Sequence, residues 1–524
     1  MFTNKPLGRS SFGTKIGVSL LLAGLADAFF HAHGPGATLG VFALVWITGV
    51  MVVRPGLWRD ARARIALLLA TVLALVMMDQ PGLLAWILFA GALTIAVLSA
   101  RVATGEPCWR WMQRLVVHIV VSLAGPLLDL GRVLRLKGRG RRTRVVGSVL
   151  MLALPLVGGA VFLALFASAN PLISDVLDRI RLPRIDAPRL VFWLVMIVTV
   201  GAVLRPRWRG RLIALPASRE RAVPGITAAS ITLSLVVFNA LFALQNGLDL
   251  AFLWSGAALP HGMTLADYAH RGAYPLIATA LLAGLFVLVF LRPGSAVATR
   301  PLVRGLVVLW VAQNMLLVAS SLLRTADYIE VYSLTRFRIA AMIWMVLVAV
   351  GLLLICARML FSRSAHWLID ANVRAMLAVL LAVSAVDLGG VAAAWNVRHA
   401  REVDGTGATL DLCYLNTLGP EALVSVSELA RTTTDPDLRD RAVWLAATDR
   451  SLLVQQQEDW RSWTWRGQRR LARIDAMTAR LPEPRPGDRD CDGRIQVMPP
   501  LPPVSTAPPP ALAVDAPLTS TPGA

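Results

Sequence analysis

Residues 62–101 read RARIALLLATVLALVMMDQPGLLAWILFAGALTIAVLSAR. Two apolar runs, Arg62–Asp79 and Leu83–Ala100, meet at a turn whose Gln80–Pro81 carry no lysine or arginine, while arginines close the far ends. A bilayer core about 30 Å thick is crossed by roughly 20 mostly apolar helical residues. Both runs reach that length, and both are too continuously apolar for the alternation of a lipid-facing barrel strand. The stretch therefore predicts a helical hairpin through a membrane. The fold class follows: all-α, a polytopic helical membrane protein.

The same pattern repeats in both directions. Further runs are Ile16–His33, Ala37–Val53, Val145–Ala169, Leu190–Leu204, Ile226–Asn246, Ala273–Leu291, Val303–Leu323, Ile339–Ile355 and Arg374–Ala394. With the hairpin they give about 11 transmembrane helices within residues 1–400. Leu190–Leu204 is the shortest and relies on Arg189 and Arg205 snorkelling outward. Residues Ile16–Ala28 also have the outline of a secretory leader, but the apolar run continues through Phe29 and Phe30, which favours a retained anchor. Composition agrees with the spans: 56% of the 524 residues are hydrophobic and only 16% charged, against about a quarter charged in soluble domains.

The arginines fix an orientation. Short cytoplasmic loops collect lysine and arginine. With Lys5, Arg9 and Lys15 inside, every second loop is arginine-rich: Arg54–Arg64, Arg101–Arg144, Arg205–Arg221, Arg292–Arg304 and Arg358–Arg363. The alternate loops lack such excess, and an odd number of spans places the carboxyl-terminal region outside. Within the basic loop 101–145, Leu115–Gly125 reads as a helix on the cytoplasmic interface anchored by Trp109 and Trp111; a twelfth span is the alternative. The net charge of +20 is explained by this topology, so nucleic acid is excluded as a partner, and the lipid bilayer is the partner that composition demands.

From Arg401 the composition changes. Leu410–Leu415, Pro420–Ala430, Asp437–Gln457 and Trp460–Leu481 read as helices of a small extracytoplasmic region, 401–481, with Asp435 and Pro436 at a helix start. Trp460, Trp463 and Trp465, set among arginines, suit either the bilayer surface or packing within the tail. Residues 482–524 are rich in proline, alanine, serine and threonine and predict a disordered tail. Of four cysteines, Cys413 and Cys491 both fall outside, where disulfides form; spacing alone leaves their bridge open. Asp488, Asp490, Asp492 and Gly493 match the start of a calcium loop, but position twelve is Pro499, so the motif is incomplete. No metal site and no cofactor is called for.

Ionisable groups in lipid are costly and default to functional candidates. The intramembrane polar residues are Asp27, Asn239, Gln313, Asn314 and Asp387, with ordinary interhelical hydrogen bonding as the plainer account of the amides. The densest polar cluster lies at the outer ends of the later spans: Gln245, Asp249, Asp267, Tyr268, His270, Arg271, Arg324, Asp327, Tyr328, Glu330, Tyr332, Thr335, Arg336 and Arg338. It suits an ion-paired extracytoplasmic cap, or a binding site for a polar ligand or a protein partner; candidate contacts are Gln245, Asp249, Tyr268, Arg271, Asp327, Tyr328, Tyr332, Arg336 and Arg338.

These segments carry a family resemblance. Thr264-Leu265-Ala266-Asp267-Tyr268-Ala269-His270-Arg271-Gly272 resembles a T-x-x-E-Y-A-R-x-G signature. Tyr328-Ile329-Glu330-Val331-Tyr332-Ser333-Leu334-Thr335-Arg336-Phe337-Arg338 resembles Y-x-x-x-Y-G-L-T-x-x-R. The signatures are those of the bacterial polytopic membrane proteins called domain of unknown function 4173, close to domain of unknown function 4153. Asp267 stands for a usual Glu, His270 for a usual Arg and Ser333 for a usual Gly. The resemblance implies a bacterial inner-membrane protein and supplies no activity.

Three function classes remain. A membrane scaffold or signalling component, binding a partner through its outer cap and tail, is favoured by polar groups crowded outside and sparse at the midplane. A transporter would need a polar path, through Asp387 and Gln313. An enzyme acting on a lipid-linked substrate would take a carboxylate from Asp249, Asp267, Asp327 or Glu330 as base, yet no H-E-x-x-H, G-x-S-x-G, Walker A or G-x-G-x-x-G occurs, and an enzyme is the lesser expectation.

Overall fold

The computed structural model describes residues 12–102, 105–123, 158–159, 187–204, 227–254, 279, 282, 286, 300–478 and 482–496. Among them every element is helical, apart from an isolated antiparallel bridge between Arg489 and Ile495. The bundle contains α1 (Phe12–Phe30), α2 (Thr38–Val53), α3 (Ala61–Asp79), α4 (Leu83–Ser99), α5 (Cys108–Leu123), α6 (Ala187–Leu204), α7 (Ala228–Phe252), α8 (Pro301–Tyr332), α9 (Arg336–Leu360) and α10 (Ala365–Ala385). Beyond it come α11 (Leu388–Arg398), the single turn α12 (Arg401–Asp404), α13 (Leu412–Leu418), α14 (Leu423–Thr432), α15 (Pro436–Glu458) and α16 (Trp465–Thr478). Six helices, α1, α3, α7, α8, α9 and α10, are long and apolar enough to cross a membrane, and α2, α4 and α6 are shorter apolar helices. These apolar helices make the chain a membrane-embedded protein. The expected spans Val145–Ala169 and Ala273–Leu291 lie outside the described residues, save that Gly158, Gly159, Thr279, Leu282 and Phe286 are helical.

Local chemistry sets the helix starts. Asp60 caps α3 by accepting from the Arg62 backbone N–H, Thr227 and Ser230 form a capping box on α7, and Thr335 and Ser364 cap α9 and α10; each satisfies an N–H that the helix itself leaves free. Pro301 opens α8, where its missing N–H costs nothing. Leu21, Ile65, Leu68, Leu194 and Leu353 are exposed on helix flanks, as lipid-facing side chains are. Inside, Phe42, Trp46 and Phe89 centre one core across α1–α4 and α6, and Leu235, Val307 and Trp310 centre another across α7–α9. At Gly40 a Cβ would stand 2.3 Å from the Ala74 carbonyl oxygen, so the close approach of α2 and α3 requires glycine there.

Helices α7 and α8 run parallel. The Asn239 amide donates to the Leu306 carbonyl and the Asn246 amide to the Gln313 carbonyl, so residue numbers climb together along both.

The turns sort into two sets. Those at 31–38, 79–82, 334–336 and 386–387 gather beneath the helices after residue 400, through contacts given below. At the opposite end arginines reach helix carbonyls: Arg62 donates to Ser99 O (3.0 Å) and Val102 O (2.9 Å), and Arg54 to Val97 O (3.4 Å). Helix α5 packs there against α4, α6 and α10. Its His118 is buried, Arg114 is held by the Glu106 carboxylate (2.6 and 2.8 Å), and Met112, Val116, Ile119 and Val120 are exposed.

Two expectations need correction. The last long helix is not Arg374–Ala394: α10 ends at Ala385, and Asp387 caps a separate helix by accepting from Gly390 N–H (2.9 Å). A carboxylate followed by Gly389 and Gly390 starts a new helix more readily than it continues an old one. Asp387 is thus an end group rather than an intramembrane residue. The disordered tail expected from 482 does not begin there either. Residues 482–496 fold back on α15, pinned by a Cys413–Cys491 disulfide, by Arg489 on Asp440 (2.9 Å) and by Arg441 on Asp492 (2.8 Å). A cross-link and ion pairs hold this segment, whose own sequence lacks a core.

Candidate functional site

The described residues of the polar cluster read as one cap fall into two constellations, and Arg336 joins a third. The first is the corner between α8 and α9. Ser333 stands at φ 67°, ψ 166°, a region that glycine enters freely and other residues do not. The usual glycine of the resembling signature is thereby explained. Thr335 caps α9 by accepting from Arg338 N–H (3.3 Å). The Arg338 guanidinium turns back to donate to the Tyr332 and Ser333 carbonyls, and lies 4.4 Å from the centre of the Tyr328 ring, which packs on Tyr332 at 4.6 Å. A reciprocal amide pair, Leu334 N–H to Asn396 Oδ1 (2.6 Å) and Asn396 Nδ2 to Leu334 O (2.9 Å), locks the corner to α11. The signature residues Tyr328, Tyr332 and Arg338 thus build a turn.

The second constellation is a seam between α7 and α8. Asp249 and Arg324, both buried, form an ion pair, and Gln245 Nε2 donates to the same carboxylate (3.0 Å). Trp254 Nε1 donates to Ser320 Oγ (3.1 Å). Further along lie Asn246 and Asn239, then Gln313 and Asn314. Asn239 bridges to α8 at Leu306 O (3.0 Å), and the Asn314 amide donates to Trp310 O of its own helix (2.7 Å). Among the described residues, Asn239 Oδ1, Asn246 Oδ1, Gln313 Oε1 and Asp249 Oδ2 are buried with no hydrogen-bond partner, so the seam carries more acceptors than donors. Asp27, also placed within a span by the sequence, accepts from Arg189 Nε (2.9 Å) at the start of α6.

The third constellation was not legible in advance: a latch that holds the tail on the bundle. Asp79, the last residue of α3, accepts from Arg466 (2.7 and 2.9 Å) and pairs with Arg469, while Gln80 bonds Arg466 and Glu421. Arg470 pairs with Asp387, Arg336 with Glu421, and the Arg336 backbone N–H donates to the Tyr414 hydroxyl (3.0 Å). The segment Asp459–Trp463 enters the notch between α1 and α2: Arg461 donates to Ala28 O (3.0 Å), Thr38 to Arg461 O (2.8 Å) and Ala37 N–H to Trp463 O (2.6 Å). Two signals point this way in retrospect. Asp79 is an acid in an arginine-free turn, and Arg466, Arg469 and Arg470 share one face of α16.

Of the candidates, Gln245 and Asp249 stand together, Tyr328, Tyr332 and Arg338 stand together, and Arg336 belongs to the latch. Asp327 is half-buried near Glu330. Tyr268 and Arg271 lie outside the described residues. The calcium-like turn is satisfied by arginine: Arg441 holds Asp492, and Arg494 N–H donates to Asp490 and Asp492. Among the described residues no group of three or more His, Cys, Asp or Glu side chains could hold a metal ion.

A family model described as "Domain of unknown function (DUF4153)" matches residues 64–429. No curated protein and no solved structure matches the chain.

Proposed function

The chain belongs to the DUF4153 family, and on that premise we propose that it is a multi-pass scaffold of a bacterial inner membrane, with its amino terminus in the cytoplasm and its helical tail outside. The observation that carries this reading is the latch. Four separate turns of the bundle converge on the tail, through Thr38, through Asp79 and Gln80, through Arg336 and through Asp387. Three of them, 31–38, 79–82 and 386–387, carry no lysine or arginine, while Arg54 and Arg62 stand at the other end. Eleven spans, with the crossing expected at Ala273–Leu291 between α7 and α8, suit the parallel course of those two helices. A disulfide between Cys413 and Cys491 suits an oxidising compartment. The finer assignment to family 4173 rests on the Tyr328–Arg338 signature.

A bundle whose outer turns are tied under a cross-linked helical cap presents that cap as a fixed surface for a protein partner. Crosslinking in intact membranes followed by affinity purification tests it. One reproducible partner, linked through residues 401–478 and lost when the cap is deleted, is the expected result; links confined to the basic end would refute it.

The seam favours a second reading, a permease-like protein that handles a small polar species. Its unpartnered oxygens at Asn246, Gln313 and Asp249 support this, but Asp387 no longer contributes to such a path. Loss of substrate uptake on Asn246→Leu, with crosslinks unchanged, would select it over the scaffold.

A further inference from the structure

We propose that Trp460 and Trp465 seat the C-terminal region in the interfacial layer of the bilayer, at the glycerol and headgroup level of the leaflet on the tail side. The proposal rests on the membrane-embedded bundle and its docked tail, and is independent of which compartment the tail faces.

The tail contains three closely spaced tryptophans with different fates. Trp463 is partly packed in, its carbonyl taken by Ala37. Trp460 and Trp465 are 57% and 54% exposed. An indole has an apolar body and one N–H, and such side chains collect where hydrocarbon meets water. Both residues lie beside the ends of helices long and apolar enough to cross a membrane. Trp460 meets Phe29 edge-on, with centroids 5.7 Å apart, and Phe29 lies in the last turn of the span α1. Trp465 immediately precedes Arg466, which grips Asp79 at the very end of the span α3, one turn beyond the exposed Leu75.

The surroundings fit lipid rather than open water. The Arg461 guanidinium stands 4.8 Å from the centre of the Trp460 ring, a cation against an indole face, and Arg466 and Arg469, which follow Trp465, are held by Asp79. Other exposed aromatics stand at the same end: Tyr332 and Phe337 flank the α8–α9 corner, and that corner is joined to the tail through Arg336, Glu421, Gln80 and Arg466. A ring of aromatics around one end of a bundle is the signature of an interfacial belt. The tail contributes two members to it.

The test uses the full-length protein in nanodiscs of phosphatidylcholine brominated either near the glycerol end or near the methyl end of its acyl chains. Wild type, Trp460→Phe, Trp465→Phe and the double variant are compared by tryptophan fluorescence. Two of the sixteen tryptophans supply about an eighth of the emission if all emit alike. Shallow bromines should quench that share in the wild type and deep bromines should quench it less. The shallow-quenched fraction should fall stepwise in the variants. If instead the emission lost on substitution is quenched by aqueous iodide and untouched by shallow bromines, the rings face water or a protein partner and the proposal fails. An intact Cys413–Cys491 bridge, read by mobility on non-reducing gels, certifies that each variant is folded. A sidedness reporter placed beyond residue 400 tests the orientation separately, and either result there leaves the quenching outcome decisive.

Discussion

Asp449 should make the cap weaker as pH rises. It sits on α15, 1% exposed, among the apolar residues of the tail core, and one carboxylate oxygen has no hydrogen-bond partner among the described residues. Burial pushes its pKa from 3.8 up to about 7, because a carboxylate deprived of water is disfavoured against the neutral acid. In the unfolded chain the group ionises near 3.8. The folded state therefore binds more protons than the unfolded state between these values, and stability falls with pH across that window. Below 3.8 nothing is lost. At pH 5.5 the loss is about 2 kcal/mol, and above pH 7 it levels off at about 4 kcal/mol, taking roughly 1.4 kcal/mol per pKa unit. Asp449→Asn keeps the shape and removes the ionisation. Hydrogen–deuterium exchange of the peptide 436–458, corrected for intrinsic rates, reads the effect. Protection in the parent should fall about 30-fold from pH 5.5 to pH 8, corresponding to about 2 kcal/mol, and should stay level in the variant. Equal slopes in both proteins, or a variant less protected at pH 8, would show that Asp449 is ionised and stably solvated in the folded cap.

Three further outcomes follow from the same contacts. Cys413→Ser should destabilise the cap by about 2–4 kcal/mol, since the bridge closes a long loop, and should expose residues 482–496 to protease while the bundle stays protected. Ser333→Gly should raise the thermal midpoint by relieving a left-handed backbone, a gain of about 1 kcal/mol; a fall would mean that the Ser333 side chain supports the corner. Arg324→Met should cost about 3–5 kcal/mol by stranding the buried Asp249 charge, and adding Asp249→Leu should restore most of it, as measured by thermal unfolding in detergent.

The bundle was legible because lipid imposes a strong pattern. Long apolar runs leave little else to form, and Asp435 with Pro436 announced the start of α15 correctly. The seam was legible as residues but not as a pairing: Gln245, Asp249 and Arg324 were all marked, while the match of Asp249 to Arg324 depends on two helices running parallel. The latch was invisible for a physical reason. Arg466 and Asp79 are 387 positions apart, and neither looks unusual in its own surroundings, since an acid in a turn and an arginine on a polar helix are ordinary solvated groups. Asp387 misled because the apolar run continues past it, and hydrophobicity does not register a cap. Residues 482–496 misled because composition does not register a cross-link.

Charge and contact constrain sidedness in different ways, and their agreement gives the cap its meaning. The arginine count depends on how a chain is inserted. The latch depends only on which turns lie close enough to bond. The turns at 31–38 and 79–82 carry no lysine or arginine and touch the tail, and the turn at 334–336 touches it as well. Where an arginine does occur among them, at Arg336, it is consumed by Glu421. At Asp79 and Asp387 the cations come from α16 and the acids from the bundle, so there the tail supplies positive charge that the turns themselves lack. Removing the tail would leave Asp79 and Asp387 at the membrane surface without their guanidinium partners. The cap is therefore part of how the bundle ends, and a partner that binds it reads the arrangement of the turns beneath.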